Sequence, residues 1–225
     1  SLKKGESGIG PMKYLQSKHS YLPVGEVKLS NEQMKDILGI KDKSPMSRTT
    51  LMGAIAIRQA LEHAGMTVEQ LNGKRVALIS GTTVGGMDLT ENYYEQMKTD
   101  DSLLYLPKSN ECGKSTEEMA EIIGLTDAQT CTISTACSSA LNSIILGSEM
   151  LKRDEVDVVI AGGSEALSRF HLNGFNTLMI LDKEQCRPFD DTRAGLNLGE
   201  GAAFVILEKN AENSLAYVAG YGNRC

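Results

Sequence analysis

The chain lacks what several functional classes require. It has no surplus of positive charge: 23 Lys and Arg stand against 29 Asp and Glu, a formal net charge of −6. Phosphate backbones are held by clustered Lys and Arg, so a general nucleic-acid binder is excluded. The cysteines are unpaired in pattern. Cys112, Cys131, Cys137, Cys186 and Cys225 show no CxxC spacing and no even framework, which points to reduced cytoplasmic thiols rather than a disulfide scaffold. There are only three histidines, His19, His63 and His171, far apart, so no zinc site is expected. No apolar run approaches a membrane span, and the N-terminus has no signal-peptide core. There is no internal repeat, low-complexity tract or linker. What is present is a 225-residue chain with 23% charged residues, long enough to bury a full core as one or two domains.

Its pattern alternates helix and strand. Ser30-Asn31-Glu32-Gln33 reads as a capping box, and Gly39 as the stop of that short helix. Leu51, Ala54, Ile55, Ile57, Leu61 and Ala64 follow helical spacing and end at Gly65. Val76-Ala77-Leu78-Ile79 is a continuous apolar run, as a strand buried on both faces needs. It opens into Gly81-Thr82-Thr83-Val84-Gly85-Gly86, then a helix near 89–97. Ser115 and Glu118 form another capping box ahead of Met119. Val156–Ile160 reads as a second buried strand ending at Gly162-Gly163, and Ala203–Leu207 as a third. Strands separated by helices predict an α/β fold with a mainly parallel sheet covered on both faces.

The sharpest chemical signal is Thr135-Ala136-Cys137-Ser138-Ser139. The apolar stretch Thr130–Ser134 runs into Cys137, and Ala140, Leu141, Ile144, Ile145 and Leu151 follow at helical spacing. That is a strand, a tight turn and a helix, with a thiol at the turn. Free N–H groups of a helix's first turn and its dipole favour thiolate over thiol, and thiolate is the nucleophilic form. A buried structural cysteine is the competing reading. The Gly81–Gly86 turn has neither the P-loop lysine nor dinucleotide spacing, so it reads as a close backbone approach rather than a phosphate cradle. The charges of Arg193 and Glu200, near a strand entrance, read as a structural ion pair.

These segments, in their order, resemble the β-ketoacyl-acyl carrier protein synthases, condensing enzymes of the thiolase-like superfamily. The motifs are Gly81–Gly86, Thr135–Ser139, Ala161-Gly162-Gly163-Ser164-Glu165, and Arg187-Pro188-Phe189-Asp190 with Arg193-Ala194-Gly195 and Gly199-Glu200-Gly201-Ala202. The resemblance implies a three-layer α/β/α thiolase-like half, residues 1–225 being its N-terminal half without the family's first strand. It implies Cys137 as the acyl-accepting nucleophile, with Val84 and Phe175 lining the substrate pocket. Met179 stands where some relatives carry an Arg toward the carrier arm.

No cofactor is implied, because substrates ride on the phosphopantetheine arm of acyl carrier protein. That carrier, and a second subunit in a homodimer or hetero-oligomer, are the expected partners. The family's two catalytic histidines lie in the other half, and none of His19, His63 and His171 matches their motifs. The expected reaction is decarboxylative condensation in fatty-acid or polyketide synthesis. Alternatives are a thiolase-type acyltransferase, a non-catalytic chain-length-factor-like partner, which typically loses the cysteine, and a cysteine hydrolase, for which no paired histidine is evident.

Overall fold

The computed structural model describes residues 2–209 and 212–223, so Cys225 lies outside the described residues. Two short strands, β1 (Ile9–Gly10) and β2 (Val24–Gly25), pair antiparallel as an arm. Three helices follow, α1 (Asn31–Leu38), α2 (Arg48–His63) and α3 (Val68–Leu71), then β3 (Val76–Gly81). Next come α4 (Met87–Met97), α5 (Cys112–Ile123), β4 (Gln129–Ile133) and α6 (Ser139–Lys152). The chain closes with β5 (Val158–Glu165), α7 (Arg169–Thr177) and β6 (Gly201–Glu208).

The main sheet has the order β4-β3-β5-β6. β3 pairs parallel with β4 and β5, and β6 returns antiparallel to β5. Side chains alternate across a strand, so each apolar run feeds two cores. Leu78, Val158, Ile160 and Phe204 pack with Ala54, Ile57 and Leu61 of α2 and Met119 of α5. Ala77, Ile79, Val159 and Ala161 face the other way, onto Met150 and Leu151 of α6. The result is the expected α/β/α layering, with the sheet in the middle.

Local signals explain several boundaries. Ser30 Oγ accepts from Gln33 N while the Gln33 side chain accepts from Ser30 N, a reciprocal cap that starts α1. Gly39 ends it at φ 73°, a conformation that suits glycine. The Ser115–Glu118 box does not form. α5 begins earlier, at Cys112, so Ser115 lies inside the helix, where its hydroxyl donates to Cys112 O. Glu118 instead accepts from Thr50 Oγ1 of α2, a tertiary partner no local pattern shows.

Gly162 and Gly163 are also corrected. They lie within β5 rather than past its end. A Cβ at Gly162 would come within 2.7 Å of Phe204 Cα, and one at Gly163 within 2.8 Å of both Ala140 Cβ and Gly81 O. Glycine is therefore required by close packing, not by a turn.

Candidate active site

Parallel strands bring their C-terminal ends to one side, where β3, β4 and β5 release the turns carrying the expected site residues. In open α/β sheets this is the side where ligands bind. Gly81, Ile133 and Gly163 lie in register across the three strands. After β4, the chain makes a single 3-10 turn, Ala136–Ser138, and continues directly into α6. Cys137 sits in that turn, immediately before the residue that caps α6. Its thiol is free and exposed, so the buried-structural reading of this cysteine does not hold. α6 packs on one face of the sheet and presents Leu141, 61% exposed, to solvent.

The turn is pinned by the hydroxyls around it. Thr135 N donates to Ser139 Oγ at 2.8 Å, and Ser139 Oγ donates to Ala136 O at 2.7 Å. Ser138 N and Ser138 Oγ both reach Thr135 O. Asn142 Nδ2 donates to Thr135 Oγ1 at 2.8 Å and to Ser138 Oγ at 3.3 Å. These bonds hold Ala136 at φ 52°, a left-handed conformation that costs a non-glycine residue about 1–2 kcal/mol. Among the described residues Cys137 itself makes no hydrogen bond, through thiol or backbone N–H. Its position is inherited from its neighbours.

The Val84 turn lies alongside. Thr82 N donates to Ile133 O at 3.1 Å, and Ser134 Oγ to Thr83 O at 3.4 Å. Cys112 Sγ, at the start of α5, also approaches Thr83 O, at 3.7 Å. Glu165, ending β5, accepts from Thr82 Oγ1 and Thr83 N and so ties this turn to the sheet. Gly85 and Gly86 let the turn pass against Ser109, as expected of a close approach: Gly86 N donates to Ser109 O at 2.7 Å. Val84 is half-buried in it.

The structure thus brings the Val84 and Cys137 turns together. Phe175 is half-buried on α7, which follows β5 at the same end and packs on α4. Met179, just beyond α7, is 89% exposed at φ 55°. The histidines are dispersed. His19 stacks edgewise on Tyr21, His63 ends α2, and His171 Nδ1 is 3.1 Å from Ser168 Oγ.

A polar cavity of about 430 Å³ lies elsewhere, between α1, the start of α2, and α4, lined among others by Tyr14, Glu26, Asn31, Arg48, Asp88 and Glu200. Its charges are largely committed to the fold. Glu26 accepts from the N–H groups of Lys13, Tyr14 and Leu15. Glu200 is paired, but with Arg48 rather than the expected Arg193, whose guanidinium bonds Asp190 O. The pair is bidentate, with side chains 8% and 1% exposed, and Glu200 also accepts from Val27 N and Leu167 N. No group of three or more His, Cys, Asp or Glu among the described residues is arranged to hold a metal. No helix among them is long and apolar enough to cross a membrane.

Sequence reasoning did not single out Asn142, Arg48 or Asp88, and it named Glu165 only as the end of the strand motif that starts at Ala161. For Asn142 the signal was available, since Ser138 and Asn142 are four apart and share a helix face. For the others the decisive partners, Arg48 with Asp88 and Glu200, and Glu165 with Thr82, are 40 or more residues apart.

Comparison with known proteins gives a consistent picture. Residues 1–213 match the family described as "Beta-ketoacyl synthase, N-terminal domain". Nodulation protein E of Rhizobium meliloti (strain 1021) is 29% identical over 242 residues, covering 98% of this chain and 57% of that protein. A 3-oxoacyl-[acyl-carrier-protein] synthase 2 of Staphylococcus aureus is 26% identical, covering 97% and 58%. Among solved structures, the ishigamide ketosynthase/chain length factor superposes with a TM-score of 0.80 at 25% identity, over 92% of this chain and 52% of that one. The chain therefore spans a little over half the length of these relatives.

Proposed function

The chain belongs to the β-ketoacyl synthase family, whose N-terminal domain it matches, and we propose that it supplies the nucleophilic half of a 3-oxoacyl-[acyl-carrier-protein] synthase. The observation that supports this most directly is the exposed, unpartnered Cys137 thiol, held in a pinned turn at the entrance of α6.

In the proposed reaction the Cys137 thiolate attacks the thioester carbonyl of an acyl group on acyl carrier protein. A carbon–sulfur bond forms, and the carrier thiolate leaves. A thiol suits this step because the exchange is nearly isoenergetic. A malonyl thioester then loses carbon dioxide, its enolate carbon attacks the acyl-cysteine, and the Cys137 thiolate is released. The Cys137 N–H, which has no acceptor among the described residues, would be one donor for the oxyanion; the second, and the histidines that stabilise the enolate, would come from the other half. Val84 and Phe175 would face the acyl chain, and a second subunit would complete the assembly.

Retention of Cys137 weighs against the non-catalytic partner reading. The relatives' own names include both a 3-oxoacyl-[acyl-carrier-protein] synthase and a ketosynthase/chain length factor.

The test is acylation followed by peptide mapping. A thiol-directed acyl analogue should modify Cys137 ahead of Cys112, Cys131, Cys186 and Cys225. Preferential labelling of another thiol would refute the assignment. The 225-residue chain should accept acyl groups without releasing carbon dioxide from malonyl thioesters, because each missing oxyanion or enolate donor costs about 10²–10³ in rate. Turnover by this chain alone would move attention to His63 and His171.

A further inference from the structure

We propose that Asn142 is a positioning residue for Cys137, a role that rests on the nucleophile assignment above. Among the described residues Cys137 makes no hydrogen bond of its own, so the direction of its sulfur depends on the Thr135–Ser139 backbone. That backbone contains Ala136 at φ 52°, a conformation that must be held by its surroundings. The serines and Thr135 pin it from within the turn. Asn142 reaches back to it from further along α6, and its amide bonds residues on both sides of Cys137: Thr135 Oγ1 at 2.8 Å and Ser138 Oγ at 3.3 Å.

The amide's other end is occupied. Asn142 Oδ1 accepts from Asn223 Nδ2 at 3.1 Å, which turns Nδ2, the donor end, toward the two hydroxyls. Ser138 Oγ, sending its own proton to Thr135 O, keeps lone pairs free to accept from Asn142. The geometry is one of support without contact: Asn142 fixes the residues before and after the thiol and leaves the thiol open to solvent.

The experiment alkylates the 225-residue chain with iodoacetamide from neutral to alkaline pH and reads the rate at each cysteine by peptide mapping. Asn142→Leu keeps the bulk and removes the donor; Asn142→Gln restores a donor on a longer arm. Asn142→Leu should slow Cys137 alkylation about fivefold, the rate equivalent of one hydrogen bond, while Cys131 and Cys186 keep their rates. Asn142→Gln should recover most of the loss. A fast Cys137 indifferent to Asn142→Leu overturns the positioning role alone, as does equal slowing of every thiol. A Cys137 slower than Cys112 in the unsubstituted chain overturns the nucleophile and this role with it.

Discussion

At Asp88, burial and hydrogen bonding pull in opposite directions. Desolvation raises its carboxyl to about 7, against the hydrogen bond from Arg48 N and the Arg48 charge, with Glu91 and Glu200 adding to the rise. Oδ1 is buried without a partner among the described residues. The folded state therefore holds a proton that the unfolded chain, at an ordinary value of 3.8, gives up earlier. Between those two values the folded state binds more protons, so stability falls as pH rises through that window, and the penalty is complete above about 7. Asp88→Asn keeps an acceptor for Arg48 N and removes the titration. Urea unfolding should show it more stable than the parent above neutrality, by about 2–4 kcal/mol, with the advantage vanishing toward pH 4. An advantage independent of pH would mean that ionisation of Asp88 is not its source. At the same scale, Arg48→Met should cost about 3–5 kcal/mol in the same assay, because it leaves the Glu200 carboxylate buried and unpaired.

Between elements, the contact that sets the site is α6 against the sheet. A Cβ at Gly81 would stand 2.8 Å from Ala140 Cα, and one at Gly147 2.6 Å from Val159 Cγ1. Gly81→Ala meets α6 backbone rather than a flexible side chain, so it should cost about 3 kcal/mol and slow alkylation of Cys137, both measurable on one sample. Much of this level was legible in the sequence wherever its cause was local. The switch from the Thr130–Ser134 run to the Ala140–Leu151 spacing located the thiol at a strand–helix junction, and Ser30 with Gln33 located the start of α1. Ser115 and Glu118 had the same local pattern and misled, because α5 begins at Cys112 and Glu118 turns to Thr50. Gly162 and Gly163 resembled a strand end because their real cause, the closeness of Phe204 and Ala140, lies across the fold. Arg48 and Glu200 stand 152 residues apart, and nothing near either one names the other.

For the molecule as a whole, the outer surfaces are uneven. Leu141 on α6, Val205 on β6, and Leu215 and Tyr217 beyond it are exposed. Large apolar side chains left in water favour association. Sedimentation of the 225-residue chain should show concentration-dependent association, reduced by Leu141→Lys; a strictly monomeric chain at every concentration would count against it. The glycines under α6 carry a different consequence. At its start the helix rests on main chain, where Gly81 and Gly163 contribute no side chain and only the Ala140 methyl lies between. The height of the sulfur above the sheet is thus set, at this end of the helix, by main chain and a single methyl group. Substitutions at Val84 or Phe175 could reshape what the thiol meets, yet the thiol would stay at the same elevation, like a needle on a fixed bearing.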